Sequence, residues 1–228
     1  MPIADPQRRV RDLTLLLTLV GGLCDTVTFV AADSLFSAHV TGNFIVFAYD
    51  VIHGVGGEAW TKLCSFPVFV AAVAAGHWAR NSPRRRYHLL LLEAALLLLA
   101  GLLALLPGAT PHGALLQGAA LVVVFAMGLQ NAFGRLFAKE TYGPTTVMTG
   151  NVTQATLDVM HRLTSPAAPT PAMPLRRQLL VIGAFLLGCL LGAVAARWAG
   201  LSVVAGAGAV LLVLALGWHR QAQREPQA

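Results

Sequence analysis

Thr-Gly-Asn occurs twice, as Thr41-Gly42-Asn43 and Thr149-Gly150-Asn151, 108 residues apart. Each copy sits in a short, rather polar run, 37–54 and 144–162, between longer apolar ones. The three residue types suit the start of a helix beside a ligand. Thr is a good N-cap, with a hydroxyl that accepts from a free backbone N–H. Gly lets the backbone approach closely, and Asn offers both a donor and an acceptor. The first amides of a helix lack internal partners, and the helix dipole adds partial positive charge there. Two such starts near the middle of a membrane predict a small polar site with pseudo-twofold symmetry, suited to an anion or a polar neutral solute. The competing reading is that these groups only bond one another and close the break in each helix. The duplication favours binding.

Asp25 lies 12 residues after Leu13, deep in the first apolar run. A carboxylate there is costly and must face the interior, be paired, or carry a proton, so it is a candidate for a coupling proton or cation. The matching place in the second half is Asn131, an amide that binds without titrating, and Gln130 and Gln154 are polar liners. Asp50 and Asp158 each follow their Asn by seven residues, on the same helical face. They extend the polar path or sit at the interface. Glu93, in LLLLEAALLLLAG, reaches Arg85 or Arg86 or pairs inside the bundle. His39 and His77 titrate near neutral pH, but a lone histidine is more often an interface residue.

The elements that must hold these groups are membrane helices. The chain has 228 residues, 56% apolar and 11% charged, against roughly 25% charged in soluble domains. Apolar runs of spanning length lie at about 13–32, 63–80, 87–106, 113–135, 178–198 and 200–218. If the two short runs also cross, the basic residues split 9 to 7 across the membrane. If they turn back, all but Lys62 and Arg197 of the 16 basic residues fall on one side, as the positive-inside rule requires. The expected fold is an all-α integral membrane protein with about six transmembrane helices plus two short re-entrant or broken helices. Each half has three spans, so the halves form two inverted repeats. The segments are a cytoplasmic 1–12, a first repeat 13–106, a linker 107–112, a second repeat 113–218 and a cytoplasmic tail 219–228. The basic start and first apolar run resemble a signal peptide, but the run is too long and contains Asp25. It reads as a retained span.

Other classes find little support. Basic residues flank apolar runs, which argues against nucleic-acid binding. Cys24, Cys64 and Cys189 form no metal-ligand or disulfide pattern. No nucleophile–base set, phosphate loop or cofactor motif occurs, so neither an enzyme nor a cofactor is expected. Small residues at every fourth place, Ala184-Gly188-Gly192-Ala196 and Ala72-Gly76, fit close packing within one bundle, with a homodimer face as the alternative.

The glycine pair before Asp25, HVTGN at 39–43, GLQNA at 128–132 and PTTVMTGN at 144–151 resemble the YoaK-type family, bacterial membrane proteins carrying a domain of unknown function. The resemblance spans about 13–218 and implies a multi-pass inner-membrane protein. It implies no substrate and no catalytic residue. The Pro-rich 165–174 departs from the family pattern. The function expected from the residues is transport of a small polar or anionic solute through paired half-helix N-termini, with a coupling proton at Asp25. The alternatives are a passive aquaporin-like channel and a non-transporting assembly subunit. The lipid bilayer is the one partner the composition demands.

Overall fold

In lipid, backbone polar groups must be satisfied within the segment, so apolar runs rich in Leu and Ala become helices. The computed structural model describes residues 6–54, 59–78, 86–164 and 175–224. The helices are α1 (Pro6–Ala31), α2 (Gly42–His53), α3 (Ala59–His77), α4 (Arg86–Leu103), α5 (Ala114–Leu136), α6 (Met148–Thr164), α7 (Leu175–Ala199) and α8 (Val203–Arg224). A 3-10 turn, Gly200–Ser202, joins the last two. No strand occurs among the described residues. Among the described residues, four stretches are long and apolar enough to cross a membrane: Gln7–Ala31, Ala59–His77, Ala114–Leu136 and Leu175–Arg220, which contains α7 and α8. Tyr87–Leu103 is apolar but shorter. The chain is a helical, membrane-embedded protein. The Pro-rich 165–174 and the cluster Arg84–Arg85 lie outside the described residues.

Glycines set how the helices cross. A Cβ added at Gly188 would strike the Leu19 carbonyl, and one at Gly192 would stand 2.7 Å from the Leu23 carbonyl. Both registers advance together, so α1 and α7 run parallel. On the other side of the bundle, added Cβ atoms at Gly128 and Gly76 would stand 2.6 Å from the Ala72 and Ala132 Cβ atoms. Thus α3 and α5 are also parallel. Between α4 and α8 the order reverses: Gly101 meets Ala205, and Gly208 meets Ala94 and Leu98. The small-residue stripes therefore serve packing inside the bundle, as close helix approach requires.

The first helix of each half packs on the third helix of the other. The small-residue pairs also recur: 101 and 208 differ by 107, as do 98 and 205. Buried Val20, Cys24, Val27, Val123 and Met127 fill one core region, and Leu17, Leu90, Phe133 and Leu211 fill another.

Both short helices bring the chain back to the end it left. Lys62 Nζ lies 2.6 Å from Asp33 Oδ2 and 2.6 Å from Asp50 Oδ2. Asp33 follows the last turn of α1, Asp50 is near the end of α2, and Lys62 opens α3, so all three share one end. Between them the chain dips inward as far as Asp25, where Ala38 and His39 bond. The second half does the same from the opposite end. Tyr142 N donates to Thr14 Oγ1 at 3.0 Å, and through Thr145 the loop then reaches Gly21 and Gln130. α6 returns, and Gln178 Nε2, near the start of α7, donates to Asp158 Oδ2 at 2.6 Å.

Candidate functional site

Asp25 is almost fully buried on α1 and organises the loop before α2. Its Oδ1 accepts from Ala38 N at 2.7 Å and His39 N at 3.3 Å. Its Oδ2 meets His39 Nδ1 at 2.6 Å. A carboxylate bonded this way has its charge spread over three N–H groups, which is how an acid survives among apolar neighbours. His39 Nδ1 is committed to Asp25, which leaves Nε2 for whatever comes near.

A cavity of about 670 Å³ opens at this dyad. Thr26, Phe29, Phe36, Thr41, Gly42 and Phe185 contribute to its walls alongside Asp25 and His39. The rings form a continuous set. Phe29 and Phe36 have centroids 4.8 Å apart, and His39 meets Phe185 edge-on at 5.9 Å. The site is one acid–imidazole pair in an aromatic wall.

Asn43 has a different task. It is fully buried, and its Oδ1 accepts from Phe36 N at 2.8 Å. Its Nδ2 donates to Phe36 O and to Ser65 Oγ, each at 2.8 Å. Every strong position of this amide is used to clamp the loop to α3. Gly42 is needed for the same clamp, because an added Cβ would stand 3.2 Å from the Phe36 ring. Thr41 is not the side-chain cap that its type predicts. Its backbone is helical (φ −71°, ψ −23°) and its hydroxyl makes no capping bond. A capping hydroxyl needs extended backbone at that residue. The first amides of α2 instead turn back to nearby carbonyls: Gly42 N to His39 O, Asn43 N to Val40 O and Phe44 N to Thr41 O. The half-helix start is therefore largely satisfied by its own turn.

The second copy is built alike but with neutral groups. Asn131 Nδ2 donates to Thr146 Oγ1 at 2.8 Å, where the first half has Asp25 and Ala38. Asn151 Nδ2 approaches Pro144 O at 3.4 Å, as Asn43 meets Phe36, seven residues upstream in both cases. Pro144 has no N–H to return. α6 begins at Met148, so Thr149, Gly150 and Asn151 lie inside its first turn. Thr149 and Gly150 are exposed. Gln130 is fully buried and donates to Leu17 O at 2.8 Å and Thr145 Oγ1 at 3.0 Å, tying α5 to α1 and to the loop.

The two Thr-Gly-Asn copies do not meet. α2 packs on α3 and α6 on α7, and among the described residues no hydrogen bond joins 41–43 to 149–151. Of the expected site residues, Asp25, Thr41 and Gly42 line the cavity at the dyad. Each Asn spends its amide on its own loop, so neither is left to face the other.

His39 and Lys62 take larger roles than their types and places in the sequence suggest. Lys62 is buried and binds both Asp33 and Asp50. Gln178, its counterpart 116 residues on, binds Asp158. Aligning α3 with α7 through Phe69 and Phe185, also 116 apart, exposes that pair in the sequence. Glu93 is fully buried, and neither carboxylate oxygen has a hydrogen-bond partner among the described residues. Arg85 and the side chain of Arg86, its expected partners, lie outside the described residues. No cluster of His, Cys, Asp or Glu among the described residues fits a metal ion.

No curated protein and no solved structure matches the chain. A family model described as "Protein of unknown function (DUF1275)" matches residues 13–217. That match covers nearly all of the helical bundle just described, and the chain belongs to this family.

Proposed function

We propose that the protein is a multi-pass inner-membrane carrier for a small organic anion with an apolar body, coupled to a proton at the Asp25–His39 dyad. The observation that carries this reading is the aromatic cavity whose polar group is that dyad. With the imidazole neutral, the dyad carries the single negative charge of the carboxylate; His39 Nδ1–H donates to Asp25 and Nε2 is open to take a proton. Protonated, the ring presents a charged N–H to an anionic group, while Phe29, Phe36 and Phe185 take the apolar part. Loss of the proton weakens the hold and releases the solute. The second half, with Asn131 and Thr146, has no titrating pair, so one half binds and the other moves against it.

The membrane arrangement in this proposal is six spans, α1, α3, α4, α5, α7 and α8, with α2 and α6 re-entrant. Lys62 bound to both Asp33 and Asp50 supports the first hairpin, and Asp158 on Gln178 supports the second. The reciprocal pairs α1–α7 and α5–α3 support two inverted repeats. In this arrangement both termini are cytoplasmic. The expected labelling follows in a variant lacking the native cysteines. Glu58→Cys reacts with an impermeant maleimide from outside and Arg84→Cys is protected. The opposite pattern refutes the arrangement.

Transport is tested in proteoliposomes with benzenesulfonate, benzamide and benzylammonium, which share a ring and differ in charge. Saturable benzenesulfonate uptake that grows as the outer pH falls is the expected result. His39→Gln lowers it about tenfold or more, the worth of one charge-assisted hydrogen bond. Preference for benzylammonium reverses the sign of the site. Non-saturating flux of all three favours a channel, and no flux of any of them overturns the carrier.

A further inference from the structure

A second cavity, of about 410 Å³, lies where α1 and α7 begin side by side. Arg8, Arg11, Arg176 and Arg177 line it, with Tyr142 and Leu180. Their counter-charge is small. Arg11 is held by Asp12, 2.9 Å away, and Arg177 lies 4.7 Å from the centroid of the Tyr142 ring. Arg8 and Arg176 have no hydrogen bond or ion pair among the described residues. Four like charges repel unless something negative stands among them, and two unmatched guanidinium groups present forked N–H donors of the kind that bind phosphate oxygens.

The surroundings identify the source of that phosphate. Two residues beyond Arg177 the helix turns apolar, and Leu179 and Leu180 are 55% and 38% exposed. On α1 the apolar run begins at Leu13, two residues after Arg11. A basic pocket directly over an uncovered apolar face matches an amphiphile, with the phosphate in the pocket and acyl chains along α7. A free phosphate would make no use of Leu179 and Leu180. We propose that this cavity is a binding site for the phosphate headgroup of an anionic membrane lipid. It bridges the first turns of α1 and α7. The inference needs only that these helices lie in a membrane, and it stands or falls apart from the carrier reading.

The full-length protein, purified in a neutral detergent, is titrated with phosphatidylglycerol, phosphatidylethanolamine and inorganic phosphate, and bound lipid is counted by native mass spectrometry. Phosphatidylglycerol is expected to bind in preference to phosphatidylethanolamine. Arg8→Gln and Arg176→Gln each weaken it about fivefold, the worth of one basic residue near an anionic surface. Neither side chain is bonded to the protein, so both variants keep the wild-type melting temperature. Arg162→Gln, on the exposed end of α6, leaves lipid binding unchanged. Equal binding of the two lipids overturns the proposal. So does an equal loss in the Arg162 variant, which indicates diffuse surface attraction. Displacement of the lipid by equimolar inorganic phosphate overturns it as well, by making the site one for the free ion.

Discussion

Replacing Lys62 with Leu is expected to destabilise the protein by about 3–5 kcal/mol, the cost of leaving buried charge without its partner. Lys62 Nζ touches Asp33 and Asp50 at 2.6 Å each, and the lysine is 2% exposed. The loss strips two carboxylates at once and frees the hairpin that α2 forms against α3. The second half of the chain indicates the remedy. There Gln178 donates to Asp158 at 2.6 Å with no formal positive charge. Lys62→Gln keeps a donor for Asp50 and is expected to cost only about 1–2 kcal/mol, in the range of one altered hydrogen bond to a charged group. Reversible unfolding in detergent micelles measures both. Equal losses in the Leu and Gln variants would show that the acids do not depend on this donor.

Gly188→Ala is expected to cost about 1–3 kcal/mol, because overpacking forces backbone to shift. The added methyl would meet the Leu19 carbonyl, which belongs to a helix and has no rotamer to change. Gly188→Leu should prevent α1 and α7 from joining, and folded protein should be lost. The control lies in the same helix. Gly183 has no atom within 4 Å of an added Cβ. Gly183→Ala should be neutral or stabilise by up to about 1 kcal/mol, the difference in helix propensity. If both alanine variants shift the melting temperature alike, the close α1–α7 crossing is wrong.

The helices and the breaks between them were legible because lipid leaves the backbone few options. The recurrence of Thr-Gly-Asn and of the acids after it at one spacing was legible in the sequence. The two copies failing to meet was not legible. Asn43 and Asn151 have donors and acceptors enough for a ligand, and nothing in their type says that Phe36 and Pro144 will take them. His39 looked like a lone imidazole because its partner, Asp25, is 14 residues away across a turn of unknown shape. Lys62 looked like a loop charge because only the returning α2 brings Asp50 beside it. In each case a contact set by chain reversal decided the role.

The crossing of α1 with α7 has a consequence for how the protein is made. α1 ends at Ala31 and α7 begins at Leu175. At ~5–20 residues per second, a ribosome needs roughly 7–30 s to add the chain between them. During that interval α1 is in the bilayer with the groove at Gly22, which will take the Phe185 carbonyl of α7, covered by lipid or by an insertion factor. Asp25 is better served, since its partners Ala38 and His39 emerge 13 and 14 residues after it. The costly acid is bonded almost as soon as it is synthesised, while the groove on the same helix stays open until translation is nearly finished.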